Sequence, residues 1–231
     1  MLLPDKTYFN WSSGKDSALA LYYLLQDPQY RVDYLLTSVN AGYDRVSMHG
    51  LRRELLQQQV AATGIPGGTL ELPELPGNEE YELLMRERLE GLKTAGYTHC
   101  GFGDIFLEDL RQYREQQLER MDIKAVFPLW KKDTRQLLRE FIDTGFKAIL
   151  ICVDAAKLDA SFAGRLIDDD LLRDLPPGVD PCGENGEFHS FCFDGPVFKA
   201  PVAYTIGDSV YREYISGTDK HGFWFLDLLP Q

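Results

Sequence analysis

Ser12, Ser13, Gly14, Lys15, Asp16 and Ser17 put three hydroxyls, a glycine, a cation and a carboxylate into six consecutive positions. Between a strand and a helix, such a loop makes an anion site. Its backbone N–H groups point outward and the helix dipole adds partial positive charge. The hydroxyls can donate as well, and Lys15 brings a full charge, so the set suits a phosphate group. Asp16 sits awkwardly beside an anion. It reads either as a cap for the following helix or as a ligand for a Mg²⁺ that bridges phosphates. A plain helix start explains Asp16 or Ser17 alone, but not the whole run. The loop is not a Walker A, which needs Gly, four residues, then Gly-Lys-Ser/Thr. There is no G-x-G-x-x-G for a dinucleotide either.

The flanking elements decide whether the loop is well placed. Thr7 to Trp11 reads as a strand. Asp16 to Gln26 reads as a helix, with Ala18, Leu19, Leu21, Tyr22 and Leu25 near a 3.6 period. Strands over 31–40, 68–73, 97–104 and 123–130 then alternate with helices over 50–64, 78–96 and 107–121. The helix over 78–96 shows an Asn cap, an acidic first turn and a terminal glycine. This alternation predicts an α/β fold: a parallel sheet of about five strands with helices on both faces. Ligands of such sheets bind at the carboxyl ends of strands, near the switch point, which is where a loop after the first strand lies. Beyond a helix over 134–145 and a strand over 146–154, the text becomes Gly- and Pro-rich, with short β-like pieces. The division predicted is a nucleotide-binding part, 1–129, and a smaller α+β portion, 130–231, packed tightly because no Ser- or Gly-rich linker parts them.

Composition narrows the class. The chain has 231 residues, 44% hydrophobic and 26% charged, enough for a sizeable core. Its net charge of −12 argues against a nucleic-acid footprint. No run of about 18 apolar residues would span a membrane, and the N-terminus lacks the pattern of a signal peptide. Cys100, Cys152, Cys182 and Cys192 form no C-x-x-C pair and have no zinc-like spacing. They read as free thiols of a cytoplasmic protein, Cys100 and Cys152 being core.

The run Ser12 to Ser17 resembles the SGGKDS pyrophosphate-binding loop of the N-type ATP pyrophosphatases, the PP-loop or adenine nucleotide α-hydrolase-like (HUP) group. Serine stands at position 13 where the common pattern has glycine. If that position needs φ > 0, Ser13 costs about 1 kcal/mol or more. The resemblance narrows with Ser47 to Gly50, Pro128 to Trp130, the stretch from Leu137 to Asp159, and above all "GENGEFHSFCFDGPVF", Gly183 to Phe198. These are similar to the diphthine–ammonia ligase family, and the match runs from residue 7 to about residue 200. "GFGDIFLEDLRQYRE" resembles the bacterial form of the family more than the eukaryotic one.

The resemblance implies an ATP-dependent, AMP-forming C–N ligase: carboxylate, ATP and ammonia give amide, AMP and pyrophosphate. ATP and Mg²⁺ are the implied cofactors. Ser12, Ser13, Gly14, Lys15 and Ser17 match the loop that holds pyrophosphate, and Asp16 is the expected Mg²⁺ ligand. Adenine is expected over the end of the second strand, at backbone groups of Thr37, Ser38 and Val39. His49 is expected to reach a phosphate or the ribose, the alternative being a solvated loop histidine. Gly103 would admit the nucleotide, and Asp104 would bind metal or the incoming amine; the alternative is a simple Gly-Asp turn. Lys15, Asp16, Glu184, Glu187 and His189 are the expected catalytic set, since two carboxylates and a histidine can position ammonia and take its proton. Asn185-Gly186 and Asp194-Gly195 are also ordinary turn pairs, but turns do not account for Glu184, Glu187 and His189. The implied partners are ammonia and a carboxylate acceptor, protein-borne on an elongation factor 2-like protein if the chain is archaeal or eukaryotic. No membrane or nucleic acid is expected, and a homodimer is one option for the oligomeric state. The alternatives are a tRNA-modifying PP-loop enzyme, disfavoured by the acidic balance, and a nucleotide-binding regulator without turnover.

Overall fold

Alternating apolar residues in the first strand face opposite ways, and each side finds its own helices. The computed structural model describes residues 3–231 apart from 48, 75, 76, 217 and 218; the side chains of Asn78, Ile215, Ser216 and Asp219 also lie outside the description. Strand β1 (Asp5–Asn10) runs into helix α1 (Lys15–Gln26), then β2 (Tyr30–Asn40), a two-residue β3 (Arg45–Val46), α2 (Arg53–Thr63), β4 (Gly67–Leu72), α3 (Asn78–Thr94), β5 (His99–Gly101), α4 (Glu108–Glu119) and β6 (Lys124–Val126). Phe9 and Trp11 pack with Leu21, Leu24, Leu55 and Leu56 of α1 and α2. Tyr8 packs on the other side with Leu89, Leu92 and Leu118 of α3 and α4. The expected helices on both faces are therefore present.

β1 pairs in parallel with β2 and β5, β2 with β4, and β5 with β6. The parallel order is β4-β2-β1-β5-β6, with β3 antiparallel on the end of β2. The chain leaves β1 toward β2 on one side and later returns to β5 on the other. The switch point thus lies between β1 and β5, and the Ser12–Ser17 loop sits on it.

The rest of the chain forms α5 (Thr134–Asp143), β7 (Lys147–Asp154), a 3-10 turn at Ala160–Phe162, α6 (Asp169–Asp174), β8 (Phe188–Asp194), β9 (Tyr204–Ser216) and β10 (Asp219–Pro230). Its four strands make a second, antiparallel sheet in the order β8-β7-β10-β9. Buried residues of both sheets belong to one apolar cluster, from Phe9 and Leu21 to Phe141, Leu150 and Phe191. No gap separates the two portions.

Three sequence expectations change. The strands over 97–104 and 123–130 shrink to three residues each, the length over which β5 pairs with β1 and β6. The separate β-like pieces after residue 201 fuse into a long hairpin, β9 and β10, with one bulge. Helix α3 starts at Asn78 with Gly77 in the cap position, so Asn78 is not the cap residue; its side chain lies outside the description. The glycine stop after α2 holds: Gly64 has φ +72°, the left-handed cap that glycine adopts without strain.

Candidate active site

The phosphate-type loop begins with a strained residue. Ser13 has φ +71°, a left-handed conformation that disfavours any residue with a Cβ. The conditional expectation about this serine is thus met. Gly14 follows at φ −89° and takes the N-cap position with no side-chain cap, so Asp16 does not cap α1. Gly14 is needed for space instead. A Cβ there would stand 3.1 Å from Cε1 of His49 and 3.3 Å from the Ser190 carbonyl oxygen.

Lys15 is the first residue of α1 and only 4% exposed. Its Nζ lies 2.6 Å from the Asp16 carboxylate, donates to the Cys182 carbonyl and lies over the Phe188 ring. Burial alone would lower the Lys15 pKa, but Asp16, Cys182 and Glu184 outweigh it and raise it. Burial raises the Asp16 carboxyl, with Lys15 pulling it back down and Asp180 adding to the rise. Ser17 donates to the Gly14 carbonyl at 3.0 Å. Among the described residues, the buried Ser13 Oγ, Thr37 Oγ1 and His49 Nδ1 have no hydrogen-bond partner. Buried polar atoms are rarely left so, and three near the loop fit a site awaiting a polar ligand.

The second sheet supplies the other wall. β8 is an edge strand, and its outer edge grips the loop. The Cys192 N–H donates to the Ser13 carbonyl at 2.9 Å, and the Lys15 N–H donates to Ser190 Oγ at 3.1 Å. An extra residue in β7, between Leu150 and Cys152, shifts the register opposite Ser190 and His189, a common device for re-aiming side chains beside a site. The His189 and His49 rings stack with centroids 4.7 Å apart at 24°. Burial pushes His189 down to about 4, and burial with His189 and Lys15 nearby pushes His49 well below its usual value. Both are neutral near pH 7, and His189 is a weak base.

The two glutamates part company. Glu187 is 2% exposed. It accepts from the N–H groups of Asp180 (3.1 Å) and Asn185 (2.9 Å) and from Asn185 Nδ2 (3.0 Å). Burial would raise its carboxyl, but these bonds win and lower it. It ties its own loop together and has no free edge to offer a reactant. Among the described residues, the Glu184 carboxylate accepts one hydrogen bond, from the Ile105 N–H at 3.3 Å. Burial, with Asp16 nearby, pushes it up to about 7, where a carboxylate can work as a base at neutral pH.

Gly103 and Asp104 follow the end of β5, beside α1. A Cβ on Gly103 would stand 2.9 Å from the Asp16 carbonyl carbon and the Ser17 nitrogen. The glycine thus admits the chain's own helix start. Asp104 sits 2.8 Å from Nε of Arg114, and burial raises its carboxyl. Its oxygens already have a cation. At the end of β2, Ser47 N–H takes the Ser38 carbonyl, and Val39 pairs with Val46 on one edge and Glu71 on the other. The backbone expected to meet adenine is therefore occupied at Ser38 and Val39, because β3 folds onto that edge. Only Thr37 lies in the gap between the last bond of β1, to Leu36, and the first of β3, to Ser38. Among the described residues no three His, Cys, Asp or Glu side chains gather as metal ligands.

Several residues escaped the sequence reading: Gln59, Trp11, Asp180 and Ser190, with Arg114 as the partner of Asp104. Gln59 did leave a signal. It falls three and four residues after Leu56 and Leu55, on the apolar face of α2, where a lone amide needs buried partners.

Residues 5–125 match the family described as the diphthamide synthase N-terminal domain, and residues 133–220 match the diphthamide synthase C-terminal domain. Diphthine–ammonia ligase of Mus musculus is 31% identical over 139 residues, 56% of this chain and 49% of the relative. The Homo sapiens enzyme is 31% identical over 132 residues, 53% and 46% of the two chains. That of Schizosaccharomyces pombe is 34% identical over 107 residues, 45% of this chain and 17% of the relative. The chain thus aligns with about half, or less, of the length of these curated relatives. Among solved structures, the U34-tRNA thiolase NcsA from Methanococcus maripaludis with its [4Fe-4S] cluster covers 61% of this chain and 59% of its own, at 16% identity and a TM-score of 0.37.

Proposed function

The chain belongs to the diphthamide synthase family, and from that premise we propose that it is an ATP-dependent, AMP-forming ligase that joins ammonia to a carboxylate. The curated relatives bear the name diphthine–ammonia ligase, so the proposed acceptor is a diphthine-type carboxylate on an elongation factor 2-like protein. ATP use is supported by the family. The observation that carries the reading is the meeting of three things at the switch point: a buried Lys15 paired with the partly exposed Asp16 at the start of α1, unpartnered polar atoms around it, and Glu184 held at about 7.

In this reading the acceptor carboxylate attacks the α-phosphorus, and pyrophosphate leaves. Lys15, the Ser12–Ser17 amides and the positive end of α1 neutralise the departing charge. Ammonia then adds to the adenylated carbonyl, and AMP leaves. The proton lost by the attacking nitrogen goes to Glu184. Glu187 shapes the loop that carries Glu184, and His189 with His49 walls the site as neutral rings. Asp104 keeps Arg114 beside the sheet edge. Mg²⁺ would find one protein ligand here: Asp16 offers a carboxylate that it already shares with Lys15, 2.6 Å away, and Mg²⁺ typically takes one or two carboxylates plus phosphate oxygens. It would help neutralise the phosphates. We assign the nucleotide to the part spanning 1–129 and the acceptor to the part spanning 130–231. A cytoplasmic setting is supported by four free cysteines. Among the described residues no helix is long and apolar enough to cross a membrane.

The test is the bond that is cut. The protein is incubated with Mg-ATP, ammonium and fractionated extract of its own cells, with Lys15→Ala as control, and the products are separated. AMP with pyrophosphate, lost in the variant, is expected. ADP with phosphate would overturn the ligase reading, and bound ATP without turnover in any fraction would turn it into a sensor.

A further inference from the structure

We infer that Gln59 is a positioning residue for the phosphate loop, holding Ser13 in its left-handed conformation from the neighbouring helix α2. The inference rests on the nucleotide reading of that loop and adds to it a residue from α2.

A non-glycine residue at φ +71° persists only where its surroundings over-determine it. The Ser13 side chain does not do so, since its buried Oγ has no partner among the described residues. The work falls to its carbonyl, which accepts from the Cys192 N–H at 2.9 Å and from Gln59 Nε2 at 3.0 Å. Gln59 is fully buried, and each of its polar atoms is used. Nε2 also donates to the Cys192 carbonyl at 2.5 Å, and Oε1 accepts from Trp11 Nε1 at 2.7 Å. The indole can only donate, so it fixes which end of the amide faces it. The NH₂ group is thereby turned toward Ser13 and Cys192. Trp11 closes β1 two residues before Ser13, so this one amide ties together the end of β1, the loop, α2 and the edge of β8. The loop amides are then aimed before any anion arrives, and binding need not supply their ordering.

Gln59→Met removes the amide at similar length. Titration calorimetry with Mg-ATP is expected to show about tenfold weaker binding, equal to about 1.4 kcal/mol. In a Ser13→Gly background the same Gln59→Met substitution is expected to cost less than it does beside serine, because glycine takes φ > 0 without strain. Amide exchange at Cys192 is expected to speed up in Gln59→Met. Trp11→Phe, which frees the amide to flip, is expected to act in the same direction more weakly, and carries both readouts if Gln59→Met does not fold. A Gln59 that merely fills the core would lower the melting temperature and leave ATP affinity of the folded protein unchanged in either background; that result overturns the inference. If the wild type binds no ATP, the nucleotide reading fails by itself. Cys192 exchange then decides the clamp: faster in Gln59→Met supports it, unchanged refutes it.

Discussion

Two short loops meet at the switch point and are held in opposite ways. The acidic loop, 180–187, is bound mostly to itself. Asp180 accepts from the Cys182 and Glu184 N–H groups, and Glu187 accepts from Asp180 and Asn185. The phosphate loop, 12–17, takes its shape from far away in the chain, through Ser190, Cys192 and Gln59. A self-tied loop keeps its own shape, and it presents Glu184 to the burial and the Asp16 charge that raise its carboxyl. A loop tied from outside binds well only when both sheets are in place. Affinity for nucleotide should therefore answer to distant changes, and the shape of the acidic loop to local ones.

The largest effect should come from the charge at the centre. Lys15→Ala is expected to lower AMP release by about 10³-fold or more, since one preorganised charged donor is worth about 10²–10³ and Lys15 also neutralises Asp16. AMP release within tenfold of the wild type would show that the loop does not hold the leaving group.

Next is Glu184→Gln, expected to cost about 10²-fold in rate. The wild-type rate should climb as pH rises through about 7, where Glu184 loses its proton, and the variant should lose that limb. Its effect on stability runs the other way. The folded pKa lies above the unfolded value near 4.5, so the folded state holds its proton longer, and stability falls as pH rises between the two values. At pH 8 the variant should thus melt about 2–4 °C higher than the wild type, for about 1 kcal/mol relieved. A lower melting temperature with an intact pH limb would remove Glu184 from its role.

Glu187→Gln should be smaller for chemistry and larger for stability. Its carboxyl is depressed on folding, so its contribution is full above the unfolded value and fades as pH falls through the folded one. Urea unfolding at pH 7 is expected to show a loss of about 1–3 kcal/mol, shrinking in acid, with ATP affinity nearly unchanged. If ATP binding collapsed with it, the two loops would not be independent as described.

The smallest effect is Ser190→Ala. It removes one neutral acceptor for the Lys15 N–H, and Mg-ATP should bind about two- to fivefold more weakly, for about 0.5–1 kcal/mol. A stable variant with unchanged affinity would leave the Ser190 hydroxyl without a share in shaping the loop.

Much of the parallel sheet was legible, because apolar period and glycine stops are local signals. The strand before Ser12, the helix after it and the stop at Gly64 all lie within a residue or two of where the pattern puts them. The β9–β10 hairpin was only half legible: its pieces showed, but their fusion depends on pairing β9 with β10. Within the site, the Ser12–Ser17 run and the Glu184–His189 cluster announced themselves by composition. Their division of labour did not. Glu184 and Glu187 are three residues apart and chemically alike, and only the hydrogen bonds around each separate a raised carboxyl from a lowered one.

The sequence by itself determined where a phosphate-type loop and an acidic cluster lie, and that a parallel sheet would put the first of them at a switch point. It also flagged the serine at position 13 as a source of strain. Only the tertiary structure decided how that strain is held, which glutamate faces the site, and that β3 covers the backbone at Ser38 and Val39. The reason is physical. Residue type and period act over a few positions of chain, whereas a pKa, a clamp and a covered strand edge are set by groups from far along the chain that folding brings within a hydrogen bond of each other.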